Sequence, residues 1–190
     1  MSTPLLLSIH RKGSLIFDSH VHLGRSVFAP ALPASDSRRS RVLPIYGNAR
    51  ENLWNTYARE AERYGICKAL VFPFPFPSID IRKANEYVID ATHKRPDLFI
   101  PLLLISPKTE QLIQYLDVIA GAKEEFYLPE ARSNNSFLAS YDLLQQFNRV
   151  LLIHPHQSER ISRIQMISSN FPRLKIIIAH SGRKMALYRR

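Results

Sequence analysis

The sequence predicts a parallel α/β fold, either an open doubly wound sheet or a (β/α) barrel. Three observations carry this. Apolar runs of strand length alternate six times with stretches of helical periodicity. The later runs, Leu98–Ile105, Val150–Ile153 and Leu174–Ala179, are continuously apolar, as in a sheet covered on its faces. No Gly-x-Gly-x-x-Gly follows any strand, which weighs against a dinucleotide fold.

In chain order, residues 1–15 read as a lead-in tail and 15–21 as the first strand. Residues 25–49 are rich in Pro, Ser, Arg and Ala and read as a long loop of the kind that is functional or mobile. A helix is expected over 50–64, where Leu53, Trp54, Tyr57, Ala58 and Ala61 recur at helical spacing, with Gly65 as its C-cap. Lys68–Phe72 is the second strand, ended by Phe72-Pro73-Phe74-Pro75-Phe76-Pro77. Helices are expected over 80–94, 108–120 (closed by Gly121), 137–148 and 158–170. Strands are expected over 98–105, 122–128, 150–153 and 174–179.

Composition bounds the function. With 190 residues, 45% of them hydrophobic, the chain suits one domain over 1–190 with a sizeable core. The single cysteine, Cys67, excludes an internal disulfide and reads as inert core in the second strand. Leu5-Leu6-Leu7 is too short for a signal-peptide core, and no stretch reaches the ~18 apolar residues of a membrane span. The expected location is cytoplasmic. The net charge of +10 points to an anionic partner, yet the basic residues are scattered and no RNA-binding or helix-turn-helix signature accompanies them. That argues against nucleic acid and for a small-molecule substrate such as a carboxylate.

The chemistry gathers where strands end. Phe17-Asp18-Ser19-His20-Val21-His22-Leu23-Gly24 closes the first strand, and alternation along it puts Asp18, His20 and His22 on one face. Neutral imidazole is the commonest metal ligand. His154 ends the fifth strand and His180 the sixth, with His156 two residues beyond His154. In a parallel barrel all strand C-termini open onto one face, where active sites sit. Three separate strands delivering histidines there favour a metal site over buried polar groups. His10 and His93 do not share the pattern, and His93 reads as solvated on a helix.

These pieces resemble the amidohydrolase superfamily, and within it the amidohydrolase-related branch that includes aromatic-acid decarboxylases. The matching segments are Phe17–Gly24, the helix-strand segment Asn85–Pro101 with Arg95-Pro96-Asp97-Leu98-Phe99, Leu152-Ile153-His154-Pro155, and Phe171–Gly182 with Ile178-Ala179-His180-Ser181-Gly182. The resemblance implies a TIM-like (β/α) barrel of the metal-dependent hydrolase type. It implies His20, His22 and His154 as metal ligands, His180 as the catalytic acid or base, Asp18 as a supporting group, and a divalent ion, with zinc expected. Metal-activated water attacking a carbonyl substrate is the first functional reading. Loss of carbon dioxide from an aromatic or unsaturated acid on the same site is the second.

Two departures accompany the resemblance. A full barrel is typically ~250 residues, so about six of eight strand-helix units are expected here, and no position matches the family's catalytic aspartate at the end of strand eight. Lys123, the nearest lysine to a bridging ligand, stands among Glu124, Glu125 and Glu130; all four read as solvated or rim charges rather than a carbamylated bridge. An incomplete barrel would expose strand edges that favour pairing with another chain. A homo-oligomer, and a catalytically inactive barrel acting as a binding or assembly partner, are therefore further expectations. Phe72, Phe74 and Phe76 are expected to wall a substrate or plug the mouth, and Arg25 to hold a carboxylate. Metal-dependent nucleases sharing a strand-one His-x-His are disfavoured, because no Gly-Glu-x-Gly-type acidic strand end occurs.

Overall fold

A computed structural model describes residues 15–25, 51–75, 79–125, 136–154 and 159–179. In order these form β1 (Ile16–Arg25), β2 (Glu51–Asn52), α1 (Trp54–Tyr64), β3 (Ile66–Pro73), α2 (Ile81–Lys94), β4 (Phe99–Leu104) and α3 (Glu110–Tyr115). There follow β5 (Gly121–Glu124), α4 (Leu138–Gln146), β6 (Val150–Ile153), α5 (Glu159–Asn170) and β7 (Lys175–Ile178). One sheet runs β2-β1-β3-β4-β5-β6-β7. Every neighbouring pair from β1 to β7 is parallel, and only the short β2 pairs antiparallel, Gly24 with Asn52 and Arg25 with Glu51.

Side-chain alternation sorts the strand residues into two layers. Val21 and Leu23 of β1 and Ala69 and Val71 of β3 face outward, against Ala58 and Ala61 of α1 and Val88 and Ala91 of α2. Leu103, Ala122, Leu151 and Ile153 face the same way further along, packing with Tyr141 and Leu144 of α4 and Ile167 of α5. The intervening residues Leu70, Phe72, Leu102 and Leu152 form a separate inner core with Ala179. A sheet with helices on one face and a closed apolar cluster on the other is an incomplete TIM-type barrel. Its curl is visible in two contacts. His20 of β1 and His154 after β6 lie with ring centroids 6.5 Å apart, although four strand spacings would separate them by ~19 Å in a flat sheet. Lys123 of β5 likewise reaches His22 of β1 across two intervening strands.

Local chemistry ends the elements. Gly65 takes the left-handed conformation at φ 70° and its N–H caps α1 on Ala61 and Glu62, as expected. Asp80 caps α2 by accepting from the Lys83 N–H. Inside, the buried Asn85 amide accepts the Leu104 N–H at 2.8 Å and donates to the Leu104 carbonyl at 3.1 Å, tying α2 to the end of β4. On the surface, Arg95 grips Asp97 with two nitrogens and Glu62 with a third, joining α1 to the α2–β4 turn.

Several expected boundaries shift, and the first strand, expected over 15–21, runs on to Arg25. The helix expected over 50–64 starts only at Trp54, because Glu51 and Asn52 are drawn into pairing with the end of β1. The helix expected over 108–120 is Glu110–Tyr115, because sheet bonds claim the following residues: Ala120 donates to Pro101 and accepts from Val150. Gly121 is thereby the first residue of β5 rather than a helix cap. A Cβ there would lie 2.0 Å from the Val150 carbonyl oxygen of β6. Gly121→Ala is therefore expected to destabilise by about 1–3 kcal/mol through overpacking against backbone. Urea denaturation of the two proteins measures this, and an unchanged midpoint would contradict it.

At the far edge of the sheet, Ile177 and Ile178 of β7 stay exposed, as do Leu15, Ile16 and Phe17 at the start of β1. Among the described residues β7 is thus an uncovered edge, as expected for an open barrel, whereas the expected open edge of the first strand is paired with β2 at Gly24 and Arg25. Cys67 is in β3 as expected, but it is only half-buried, its thiol donating to the Ile16 carbonyl at 3.1 Å. His93 is exposed on α2, as expected.

Candidate active site at the carboxyl end of the sheet

The His-x-His strand does not alternate cleanly. Asp18 pairs with Ala69 and Val21 with Val71, so β1 advances three residues while β3 advances two. This is a bulge, and it turns the side chains preceding it. Asp18 therefore does not share a face with His20 and His22, contrary to the expectation from strict alternation. Its carboxylate turns to the helix layer, accepting from the Tyr57 hydroxyl of α1 at 2.8 Å and from the His20 N–H at 3.2 Å. Burial and the Asp18 carboxylate both push the Tyr57 phenol well above its ordinary range. Asp18 thus fixes the backbone that presents His20, in line with a supporting role.

His20 and His22 point inward, ring centroids 5.2 Å apart. Phe72 meets both edge-on, at 4.8 and 4.7 Å, and Phe74 stacks on His22 at 5.3 Å. Both phenylalanines are buried. They pack behind the imidazoles, nearer to plugging the mouth than to walling a substrate. Nδ1 of His22 lies 3.0 Å from the Pro73 carbonyl oxygen. A carbonyl only accepts, so Nδ1 carries the proton and Nε2 keeps its lone pair. Burial, then the charge of Lys123, holds the His22 pKa well below the usual histidine range. The ring is neutral at pH 7, the form that ligates metals.

Opposite Nε2 of His22, at 3.3 Å, is Nζ of Lys123. This lysine is fully buried, 3.9 Å above the Phe72 ring and 2.9 Å from Oε1 of Glu125, itself only 1% exposed. His154 reaches the same carboxylate oxygen through Nδ1 at 3.3 Å. The expectation that Lys123, Glu124 and Glu125 are solvated is overturned. From Gly121 onward, alternation points Lys123 and Glu125 into the barrel and Glu124 out toward the helices. All three are buried because the sheet curls around one side and α4 and α5 cover the other. Burial alone would raise the Glu125 pKa, but the Lys123 charge and the hydrogen bonds of His154 and Lys123 outweigh it and pull it to about 2. Burial pulls the Lys123 ammonium below the usual lysine range, against the opposing pull of Glu125.

Of the sequence-predicted residues, the fold brings His20, His22 and His154 together at one mouth. His180, His156, Phe76 and Glu130 lie outside the described residues, as does the side chain of Arg25. Sequence reasoning passed over Lys123 and Glu125 as site residues; the available signal was their two-residue spacing on a strand of a parallel sheet.

His22 offers a neutral imidazole locked in its tautomer by a backbone carbonyl, and His154 is held by a carboxylate, donor types that suit a divalent ion. Among the described residues, however, no three His, Cys, Asp or Glu side chains are gathered closely enough to hold one ion. Lys123 stands between His22 and Glu125 instead.

A curled parallel sheet with helices on one face and inward histidines toward its carboxyl end is an incomplete TIM-type barrel. Comparison with solved structures agrees. The chain is similar to 5-carboxyvanillate decarboxylase from Novosphingobium aromaticivorans, solved with manganese and 3-methoxy-4-hydroxy-5-nitrobenzoic acid (TM-score 0.64, 15% identity, 93% of this chain and 68% of that one). It is also similar to 5-carboxyvanillate decarboxylase from Sphingomonas paucimobilis (TM-score 0.65, 16% identity, 92% and 70%). A protein from Agrobacterium tumefaciens, solved without ligand, follows at TM-score 0.53 and 13% identity, over 83% of this chain and 54% of that one. At such identities the likeness is one of fold. No protein-family model and no curated protein sequence matches the chain. Among the described residues no helix is long and apolar enough to cross a membrane.

Proposed function

We propose that this barrel belongs to a metal-dependent enzyme of the amidohydrolase type that removes carbon dioxide from an aromatic carboxylic acid. The observation that carries this is the meeting of His20 and His22 from β1 with His154 from the end of β6 at one mouth. The metal ligands in this reading are His20, His22 and His154. These residues would hold the divalent ion, which would supply Lewis-acid charge toward a substrate oxygen. Zinc suits an all-imidazole set, and manganese is the ion in the Novosphingobium decarboxylase.

The protein's own residues do the rest. Pro73 holds His22 in the tautomer that aims Nε2 inward, and Glu125 orients His154 through Nδ1. Decarboxylation breaks the ring–carboxylate bond and forms a ring C–H bond, so a proton must reach that carbon. His180, two residues after β7, is assigned that delivery as general acid. The decarboxylase reading is placed ahead of hydrolysis because the two decarboxylases share this fold over nearly the whole chain.

The test is turnover. The full-length protein, supplied with manganese or zinc, is expected to release carbon dioxide from 5-carboxyvanillate or a related aromatic acid. A chelator should remove this activity and added ion restore it. Turnover of only esters, amides or lactones would replace decarboxylation by hydrolysis. No turnover of either class, with no bound ion, would leave the inactive, partner-binding reading.

A further inference from the structure

Two features of the chain fit each other. The first is the outer edge of β1. β2 pairs with it only at Gly24 and Arg25, and among the described residues no strand lies beside its first residues. There Leu15, Ile16 and Phe17 are 83%, 37% and 49% exposed. The Ile16 carbonyl is turned to β3, where it accepts from the Cys67 thiol at 3.1 Å. Alternation along a strand then turns the Phe17 N–H and carbonyl to the open edge. The second feature is Leu5-Leu6-Leu7-Ser8-Ile9, an apolar run that the proposed function does not use. It lies outside the described residues, and His10 and then Arg11-Lys12-Gly13-Ser14 join it to β1. Four residues, polar but for a glycine, between two apolar runs have the length and composition of a hairpin loop.

We propose that residues 5–10 are a strand antiparallel to β1, laid along the edge that β2 leaves open. A four-residue loop sets the register: His10 opposite Leu15, Ile9 opposite Ile16 and Ser8 opposite Phe17. Bonded and non-bonded pairs alternate in such a ladder. Ser8 and Phe17 then exchange backbone hydrogen bonds, as the direction of the Phe17 peptide groups requires, and Ile9 and Ile16 form a close apolar pair. The short loop keeps the entropy of closure small, whereas a second copy would give up its free motion to reach the same edge. The pairing is independent of the proposed chemistry.

The test is hydrogen exchange of the full chain, followed by mass spectrometry on the peptide covering 15–20. Wild type and Ser8→Ala are expected to exchange slowly there. Ser8→Pro, which removes the N–H offered to Phe17, is expected to lose that protection. Equal exchange in wild type and Ser8→Pro overturns the proposal, and a dimeric mass in solution would then assign the edge to a second copy. If Ser8→Pro fails to fold, cysteine pairs decide, in a Cys67→Ser background. Residues opposite each other in an antiparallel pair are about 4.5–5.5 Å apart, within disulfide reach. Ile9→Cys/Ile16→Cys should close under oxidised glutathione, and the out-of-register Leu6→Cys/Ile16→Cys should not. Equal closure of both pairs, or of neither, overturns the proposal.

Discussion

Arg163→Met is expected to destabilise the protein by about 3–5 kcal/mol, the range for stranding one member of a buried ion pair. Arg163 and Glu124 are 7% and 6% exposed, with Nε of the arginine 2.6 Å from Oε1 of the glutamate. The Tyr141 hydroxyl donates to Oε2 of Glu124 at 2.5 Å and accepts from Nη2 of Arg163 at 2.9 Å. The three residues come from α5, β5 and α4, so the network clamps two helices to the strand that carries Lys123. Burial, then the Glu124 charge, pushes the Tyr141 phenol far above its usual range, so the tyrosine stays a donor at any working pH. Removing Arg163 leaves the buried Glu124 carboxylate without its arginine, with the neutral Tyr141 hydroxyl still donating to it. The double variant Glu124→Gln/Arg163→Met removes the charge along with its partner and should recover much of the loss. A double-mutant cycle in urea would show this as coupling, and additive losses would mean that the pair is not energetically linked.

The second large effect concerns acid. The Glu125 pKa is held at about 2 in the folded protein against an ordinary 4.5. A group whose folded pKa is depressed stabilises above its unfolded pKa and loses that contribution as pH falls through the folded one. The difference corresponds to roughly 3 kcal/mol, present above about pH 4.5 and lost between there and about pH 2. Wild type and Glu125→Gln are the useful comparison, since their other carboxylates titrate alike. The wild type should be the more stable at pH 7, and the gap should close as pH falls toward 2. A gap that stays constant with pH would show that Glu125 is not held in its charged form.

The fold was legible in the sequence where the local signal and the tertiary requirement agree. The continuous apolar strands and the histidines near their ends placed the parallel sheet and named His20, His22 and His154; His154 follows directly on β6, whereas His20 and His22 lie within β1, which runs on to Arg25. Boundaries failed where sheet pairing overrode local propensity. Glu51 and Asn52 have a helical neighbourhood but pair with β1. Leu116 to Ala120 continue a helical pattern but bend away to place Ala120 between β4 and β6.

What the sequence by itself determined is the order of strands and helices and the histidines at the strand ends, because period-2 and period-3.6 patterns and turn residues are properties of neighbours along the chain. The tertiary structure alone decided the rest of the mouth. Lys123-Glu124-Glu125 reads locally as a solvated triplet, and only the curl of the sheet buries it and sets Lys123 against His22 from across the barrel. The bulge between Asp18 and Val21 is likewise invisible in the sequence, since the register belongs to the β1–β3 pair. Through it, Asp-x-His-x-His becomes two inward imidazoles and one carboxylate turned to α1.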